Sequence, residues 1–236
     1  MDKNLQIKDL ALYLKKEKTL IIGDVHLGYE ESLSRQGVLV PRFQLKETVD
    51  RIHKILENLD VKQVVITGDL KHEFGKILFS EMNDTLEFLD YLLQKHKVII
   101  IKGNHDTTLE YIAQKRNIEL KEYYKINDFF ICHGDKIFNN LDFFNSKTII
   151  IGHEHPAVSV SNNNRHENFK CFLMGKYKDK KLIVIPSFNL LIEGSNILRE
   201  KIISPFLKKE NLDEFEVFII ADKTYKFGVL KNLRNK

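Results

Sequence analysis

The stretch TLIIGDVH at residues 19–26 joins a short, mostly apolar run to a glycine, an aspartate and a histidine. An apolar run of about four residues is typical of a buried strand, so these polar residues follow the strand's carboxyl end. Four further runs end in the same way, at residues 64–72, 98–106, 129–135 and 148–155. Because ligand sites of α/β folds collect outside the carboxyl ends of strands, we expect these five blocks to converge on one rim.

The spacing of apolar residues places helices between the early strands. Pro41 begins a stretch whose apolar residues fall on one helical face. These residues are Leu45, Val49, Ile52, Ile55, Leu56 and Leu59. Two more helices are predicted at Leu78–His96 and at about Thr108–Lys115. The alternation of strands and helices predicts an α/β architecture for the front part of the chain.

The pattern changes after residue 156. Short runs typical of antiparallel strands are separated by turns, and residues 162–166 are predicted to form a polar loop. The runs are Val158–Ser161, Phe169–Met174, Leu182–Ile185 and Glu216–Ala221. We predict a single domain over residues 1–236, in which the C-terminal part, about 157–236, is mainly β and completes the fold.

Composition excludes several classes of protein. The 236 residues carry 37 Lys+Arg against 33 Asp+Glu, and these charges are interleaved rather than gathered in a basic stripe. A hydrophobic content of 43% argues against disorder. Two cysteines, Cys132 and Cys171, cannot form a disulfide framework, and Cys132 is expected to be a small core residue. With no signal peptide and no apolar run of ~20 residues, we expect a cytoplasmic protein without a membrane partner.

Six of the nine histidines fall in the five blocks. They are His26, His72, His105, His133, His153 and His155. An aspartate after a single strand is often only a turn or cap residue. Together, however, the blocks supply carboxylates, an amide and several imidazoles, which suit divalent Mn, Fe, Zn or Ni. The other three histidines, His53, His96 and His166, are expected to be ordinary surface or boundary residues.

The ordered series Asp-x-His, Gly-Asp, Gly-Asn-His-Asp, His and Gly-His-x-His over about residues 19–156 resembles the calcineurin-like metallophosphoesterase superfamily. The resemblance implies an α/β fold, an αββα four-layer sandwich with two mixed β-sheets and a dinuclear metal site at the C-terminal ends of the strands. It also implies two metal-ligand sets and a bridge. These are Asp24, His26 and His155 for one metal, Asn104, His133 and His153 for the other, and Asp69 between them.

The same resemblance assigns catalytic roles to two histidines that are not ligands. His105 would touch the scissile phosphate and protonate or stabilise the leaving oxygen. Many phosphomonoesterases of the superfamily carry Gly-Asp-x-x-Asp-Arg-Gly in the second block, whereas this chain has GDLKHEFG at residues 68–75. A histidine at position 72 resembles the nuclease branch related to SbcD, in which a second histidine assists on the phosphodiester.

The charges of the predicted ligands are compatible with two divalent ions. A shared carboxylate offsets the repulsion between ions about 3.5–4 Å apart, and a water bridging them loses a proton near neutral pH. Two dications, two carboxylates and one hydroxide leave a net charge of about +1, which attracts a phosphodiester anion. We therefore expect a metal-bridging hydroxide to attack the phosphate. Mn is the preferred metal, with Fe, Ni, Zn or Mg as alternatives.

Supporting roles are predicted for four further residues. Asp106 or Asp135 would accept a hydrogen bond from a ligand imidazole and fix its tautomer, although each suits a turn or cap equally well. Arg42 and Lys71 are candidates for contacting the substrate phosphate, although solvated cations are the commoner case. Glu154, between the last two histidines, is expected to point to solvent.

Softer matches outside the blocks resemble a small, mostly archaeal group of SbcD-related phosphoesterases. They are residues 28–30, 41–44, 153–156, 186–189 and 204–207. SbcD-type nucleases are much longer, so no ATPase partner and no long-duplex processing are implied. Substrate specificity is expected to come from loops at Tyr29–Arg42, Lys71–Ile77 and Asn162–Asn168.

Three functions remain open from the sequence. The first is a phosphodiesterase or nuclease-like enzyme acting on a nucleic acid end or a nucleotide diester. The second is a phosphomonoesterase for a nucleotide or a phosphoprotein. The third is a non-catalytic, metal-binding scaffold for protein interactions, against which the presence of all seven predicted ligands and His105 counts. The sequence does not indicate an oligomeric state.

Overall fold

Two mixed β-sheets pack face to face in the computed structural model, which describes residues 3–75, 78–106, 108–162 and 165–234. The first sheet has six strands in chain order. They are β1 (Leu5–Lys8), β2 (Ala11–Leu14), β3 (Thr19–Ile22), β4 (Gln63–Ile66), β5 (Lys97–Ile101) and β6 (Glu119–Lys121). Strands β3 to β6 run parallel, while β1 and β2 pair antiparallel at one edge.

Helices connect the parallel strands, and three of the four were predicted from the sequence spacing. Four helices belong to this half of the chain: α1 (Tyr29–Arg35), α2 (Gln44–Leu56), α3 (Phe79–Leu93) and α4 (Leu109–Gln114). Helices α1 and α2 lie between β3 and β4, α3 between β4 and β5, and α4 between β5 and β6. Each crossover returns the chain to the same end of the sheet, so the carboxyl ends of β3, β4 and β5 lie side by side.

The second sheet is built from the rest of the chain. Its strands are β7 (Tyr123–Ile126), β8 (Phe129–Cys132), β9 (Thr148–Ile151), β10 (Pro156–Asn162), β11 (Arg165–Tyr177), β12 (Lys180–Val184), β13 (Ser195–Asn196), β14 (Glu216–Ile220) and β15 (Thr224–Val229). The order is β13-β10-β11-β12-β9-β8-β7, and β14 pairs with β11 and β15. Two short helices, α5 (Leu141–Phe144) and α6 (Lys231–Arg234), and a 3-10 turn at Leu212–Glu214 complete this half.

The apolar core divides along the two faces of the second sheet. One face, which includes Ile131, Ile150 and Ile183, belongs to the cluster that contains the first sheet. The alternate residues, among them Cys132 and Ile151, belong to a separate cluster with Phe143 of α5 and side chains of the C-terminal segment. This alternation gives the four layers of an α/β sandwich. The prediction that Cys132 is a core residue is confirmed, since the side chain is fully buried.

The structure corrects the prediction of a polar loop at residues 162–166. Asn162 pairs with Arg165 at the end of the β10–β11 hairpin, so the strands extend further than the sequence suggested. Residues 163–164 and 76–77, which fall in two of the predicted specificity loops, lie outside the described part of the chain. The third predicted loop, Tyr29–Arg42, contains helix α1. No helix in the described ranges has the length and apolar character needed to cross a membrane.

The segment after β12 joins the two sheets. Gly23, at the end of β3, lies so close to Pro186 that an added Cβ would stand 2.2 Å from the Pro186 carbonyl oxygen. The Phe188 side chain is fully buried in the core cluster that contains residues of both sheets. Phe188 also donates its backbone N–H to the Asp24 carbonyl oxygen at 2.8 Å. The segment therefore fixes the end of β3 against the second sheet.

Replacing Phe188 with alanine should destabilise the protein strongly. Truncating a buried phenylalanine removes apolar contacts and leaves a cavity, at a cost of about 3–5 kcal/mol. Phe144→Ala is the matched control, because Phe144 is 58% exposed and its loss should cost less than ~0.5 kcal/mol. Urea denaturation monitored by circular dichroism compares the two. Equal losses of stability would show that Phe188 does not contribute to the joined core.

Candidate metal centre

The five polar blocks meet where the two sheets face each other. Three blocks follow β3, β4 and β5 of the first sheet, and two follow β8 and β9 of the second. Asp24 links the sheets directly: its Oδ2 accepts a hydrogen bond from the His153 backbone N–H at 3.0 Å. Its Oδ1 lies 3.3 Å from His133 Nδ1. All seven residues predicted as metal ligands are brought to this rim.

One group of potential ligand atoms contains Asp24, His26 and His155, within 4.8 Å of one another. Asp24 Oδ2 lies 3.5 Å from His155 Nε2. Among the described residues, Asp24 Oδ1 and His155 Nε2 are buried without a hydrogen-bond partner. Buried polar atoms are costly to leave unpaired, and a carboxylate facing two imidazoles is a donor set that suits a divalent cation. We call this set group one.

A second group contains Asp69, His133 and His153, again within 4.8 Å of one another. The Thr67 carbonyl oxygen accepts from His133 Nδ1 at 3.0 Å, so Nε2 is the nitrogen left to face the group. Asn104 Oδ1 and His153 Nδ1 each lie 3.0 Å from that Nε2. Oxygen and nitrogen lone pairs thus converge on one point, an arrangement that a cation stabilises. Group two is this set together with Asn104.

Asp69 lies between the groups. Its Oδ2 is 3.8 Å from His26 Nε2 of group one and 3.5 Å from His133 Nε2 of group two. Its other oxygen accepts from the His105 backbone N–H at 2.8 Å. One carboxylate oxygen is therefore available to both groups, as a bridging ligand requires.

Burial and mutual charge shift the pKa values of these residues in opposite directions. Burial raises the pKa of Asp69 to about 7, and the charges of Asp24 and Asp106 act in the same direction. Burial would also raise the pKa of Asp24, but His155 and then His133 lower it below its usual range. Burial and the nearby His133 lower the pKa of His153 to about 4. A dication at either group would favour the ionised carboxylate and the neutral imidazole.

Four of the predicted ligands have strained backbones. His26, Asp69, His153 and His155 have φ angles of 47°, 43°, 63° and 48°, in the left-handed region that favours glycine. Strain of this kind persists only where surrounding contacts impose it, and it is concentrated at functional sites. The spacing of polar residues in the sequence gave no signal of this strain.

Two further histidines stand beside group one. His105 Nδ1 lies 2.7 Å from the His72 carbonyl oxygen, and because a carbonyl only accepts, Nδ1 carries the hydrogen and Nε2 is left free for another partner. The His105 ring is 5.1 Å from that of His26 and stacks on that of His72 at 5.8 Å. Burial lowers the pKa of His72. The structure thus brings both predicted catalytic histidines to the rim.

The predicted supporting residues are placed differently from expectation. Asp106 is fully buried, and its oxygens accept from the backbone N–H groups of Leu70 and Gly103 rather than from an imidazole. It therefore ties the second block to the third. Asp135 is half-buried, and its charge helps to raise the pKa of His133 after the larger effects of Asp24 and Asp69.

The two predicted phosphate contacts are already engaged. Lys71 is buried, and its ammonium donates to the Glu73 carbonyl oxygen. Arg42 donates to Asp84 at 3.1 Å, and its Nε lies 3.7 Å from Glu30. A contact between either cation and a substrate phosphate would require that these interactions be exchanged.

The prediction that Glu154 points to solvent is wrong. Its side chain is buried and accepts hydrogen bonds from the backbone N–H groups of Ile203 and Ser204. Glu81 does the same for His72 and Glu73. Buried glutamates thus hold the chain near the ligands. The softer sequence matches contained a signal for the Glu154 contact, because Glu154 lies in the matched residues 153–156 and Ser204 in the matched residues 204–207.

A half-buried lysine supports group one from the second sheet. Lys170 Nζ donates to the carbonyl oxygens of Ser187 and Asn189. The same segment sends three hydrogen bonds to the Asp24 carbonyl oxygen, from the Phe188 and Asn189 backbone N–H groups and from Ser187 Oγ. Burial lowers the pKa of Lys170 to about 7, and Arg51 acts in the same direction while Asp24 and Asp9 oppose it.

Lys170 should make the stability of the protein depend on pH. An unfolded lysine has its ordinary pKa of 10.5, so between about pH 7 and 10.5 the unfolded chain binds more protons at this position than the folded chain. The melting temperature of the wild type should therefore rise, relative to that of Lys170→Met, as pH increases from 7 to 10. Lys176→Met, an exposed lysine on the same strand, serves as control. A difference that stays flat with pH would show that the two carbonyls keep Lys170 fully charged.

Comparisons with known proteins match this geometry. A family model described as calcineurin-like phosphoesterase matches residues 17–213, which include all five blocks. "Putative phosphoesterase 078R" of Invertebrate iridescent virus 3 is 28% identical over 134 residues, 56% of this chain, but the match spans only 30% of that protein. The solved structure of Pseudomonas putida nuclease MPE superposes with a TM-score of 0.64 at 18% identity, covering 90% of this chain and 89% of that one. The likeness to the nuclease supports the fold.

Proposed function

Because the chain belongs to the calcineurin-like phosphoesterase family, a family of metal-dependent phosphoester hydrolases, we propose that it hydrolyses phosphodiesters at the rim between its two sheets. The observation that carries this proposal is the position of Asp69, whose Oδ2 lies within 4 Å of an imidazole nitrogen of each group. Both sheets contribute ligand atoms to these groups, which supports treating residues 1–236 as one domain.

The residues present fit two divalent ions. In this proposal Asp24, His26 and His155 hold one ion; Asn104, His133 and His153 hold the other; Asp69 is shared. Bound ions would supply a water of lowered pKa and positive charge for the phosphate oxygens. The mixture of carboxylate, amide and imidazole donors supports Mn, and leaves Fe, Ni, Zn and Mg as alternatives.

His105 is the proposed proton donor to the leaving oxygen. Its Nδ1 hydrogen is committed to the His72 carbonyl, so the ring is held in one orientation with Nε2 available. General acid catalysis requires a protonated group held within hydrogen-bond reach of the departing oxygen. The short bond to His72 and the ring contact with His26 restrict His105 to the edge of group one.

The second block supports a diester rather than a monoester. His72 and Glu73 stand at the aspartate and arginine of the Asp-Arg pair that many monoesterases of the superfamily carry, so the arginine is absent here. Burial lowers the pKa of His72 and so favours the neutral imidazole. A neutral donor suits the single negative charge of a diester better than the dianion of a monoester, for which a guanidinium fork is the stronger partner.

Asp69→Asn should weaken metal binding at both groups. The change removes the charge of the shared carboxylate, so repulsion between the ions is less well offset. Isothermal titration of chelator-treated protein with Mn should give two ions per chain for the wild type and higher dissociation constants for both in the variant. Asp50→Asn is the control, because Asp50 is an exposed aspartate on α2 and belongs to neither group. Two unchanged dissociation constants in Asp69→Asn would contradict the shared role.

His105→Ala should lower kcat at least ~100-fold on a diester with an alkoxide leaving oxygen, such as thymidylyl-(3′→5′)-thymidine, because general acids contribute ~10²–10⁴ in rate. The loss should be smaller on bis-p-nitrophenyl phosphate, whose phenoxide leaves without a proton, and Mn stoichiometry should stay the same. His53→Ala removes an exposed histidine on α2 and should leave kcat unchanged. Retained activity of His105→Ala on the dinucleotide would exclude the proposed proton donor.

The same assay separates the three functions. Faster hydrolysis of p-nitrophenyl phosphate than of bis-p-nitrophenyl phosphate by the wild type would favour the phosphomonoesterase. No hydrolysis of either compound with two Mn bound would favour the scaffold.

A further inference from the structure

Exposed apolar side chains are concentrated in the segments that flank helices α1, α2 and α3. Of the eleven large hydrophobic residues that are exposed in the described part of the chain, five fall between residues 38 and 79. They are Val38, Leu39, Phe43, Phe74 and Phe79. We call these five residues the apolar rim. Apolar side chains gathered beside a site are typical of ligand contact, whereas scattered ones need no explanation.

Hydrogen bonds tie the segments that carry the apolar rim to one another. Glu30 accepts from the Phe43 backbone N–H at 2.9 Å, and Ser80, next to Phe79, donates to Glu31. Arg42 joins α3 through Asp84. The Glu81 carboxylate, also on α3, binds the backbone N–H groups of His72 and Glu73, directly before Phe74. The rim is therefore anchored to the segment that carries His72.

Phe74 is the rim residue next to the proposed chemistry. Its ring centroid is 5.8 Å from that of His105, with the planes at 89°, and the side chain is 60% exposed. On the opposite side from Phe74, the Tyr29 ring contacts the His72 ring, with the centroids 4.8 Å apart. Tyr29, His72, His105 and Phe74 thus form a continuous aromatic wall beside group one, and Phe74 is its solvent-facing end.

The part of the substrate expected next to Phe74 follows from the short distance between Phe74 and His105. If His105 protonates the leaving oxygen, the organic group carried by that oxygen lies within a few ångströms of Phe74. An exposed phenyl face favours a flat, aromatic group, and stacking of a base on an aromatic side chain contributes about 1–3 kcal/mol. Arg42 and Lys71 are already engaged, so the described contacts favour recognition of a base over recognition of a long phosphate backbone.

We propose that Phe74 stacks on the nucleobase of the nucleoside esterified to the scissile phosphate, and that the substrates are nucleotide diesters or nucleic acid ends. This inference rests on the proposed phosphodiesterase function and names its substrate class. Phe74 is then a specificity-determining residue, because it acts on the nucleoside and not on the reacting phosphorus.

Two symmetric diesters test the idea: bis(thymidin-5′-yl) phosphate and the base-free bis(1,2-dideoxyribos-5-yl) phosphate. Whichever ester bond is cleaved, the group on the leaving oxygen is a nucleoside in the first compound and a base-free sugar in the second. The measured quantity is the ratio of their kcat/KM values with the Mn-loaded protein. Phe74→Ala should lower this ratio about 5- to 150-fold, through KM more than kcat, as the loss of 1–3 kcal/mol of stacking requires. Phe74→Trp should restore it. Phe144→Ala, an exposed phenylalanine on α5, is the matched control.

A binding measurement separates failure of this inference from failure of the proposed function. Thymidine 5′-phosphate should bind the wild type more tightly than methyl phosphate does, and Phe74→Ala should reduce that difference in calorimetry. If neither diester is hydrolysed but this difference is found, the phosphodiesterase proposal fails and the stacking site stands. If Phe74→Ala leaves both the kcat/KM ratio and the binding difference unchanged, the inference is overturned.

Discussion

The position of one carboxylate oxygen, Oδ2 of Asp69, limits how far the two sheets can shift relative to each other. It lies 3.8 Å from His26 in the first sheet's part of the site and 3.5 Å from His133 in the second sheet's part. Errors of about an ångström between the two sheets would remove the carboxylate from one group or the other. The fold therefore has to hold two separate sheets in fixed register at the end where their strands stop.

Loops after strands are ordinarily the least restrained parts of a fold, and here hydrogen bonds from buried groups restrain them. Asp106 ties the second block to the third, Glu81 holds the segment that carries His72, and Glu154 holds the C-terminal segment against the last block. The Asp24 carbonyl oxygen accepts three donors from the segment after β12. The Asp106 and Glu81 contacts lie within the first sheet's half and the Glu154 contact within the second, while the Asp24 contacts join the two halves.

The parts of the fold that the sequence predicted are those governed by local pattern. Apolar runs followed by polar blocks located β3, β4, β5, β8 and β9, and parallel pairing then brought the blocks together. Long-range pairing was not predictable. Lys71 follows a ligand block like a surface cation but is buried, and Glu154 pairs with a backbone fifty residues later. Strands β1 and β2 were missed; β2 pairs with β3 and β1 pairs with β2, at the edge of the first sheet.

The left-handed backbones of His26, Asp69, His153 and His155 also bear on how such a chain changes over generations. Glycine or asparagine at these positions would relieve the strain, while removing side chains that the proposed metal centre requires. Substitutions that abolish turnover would then be compatible with a more stable chain. Variants that lose the proposed activity could therefore keep the fold and have a higher free energy of unfolding. Selection for stability would not oppose the change from an enzyme to a binding protein.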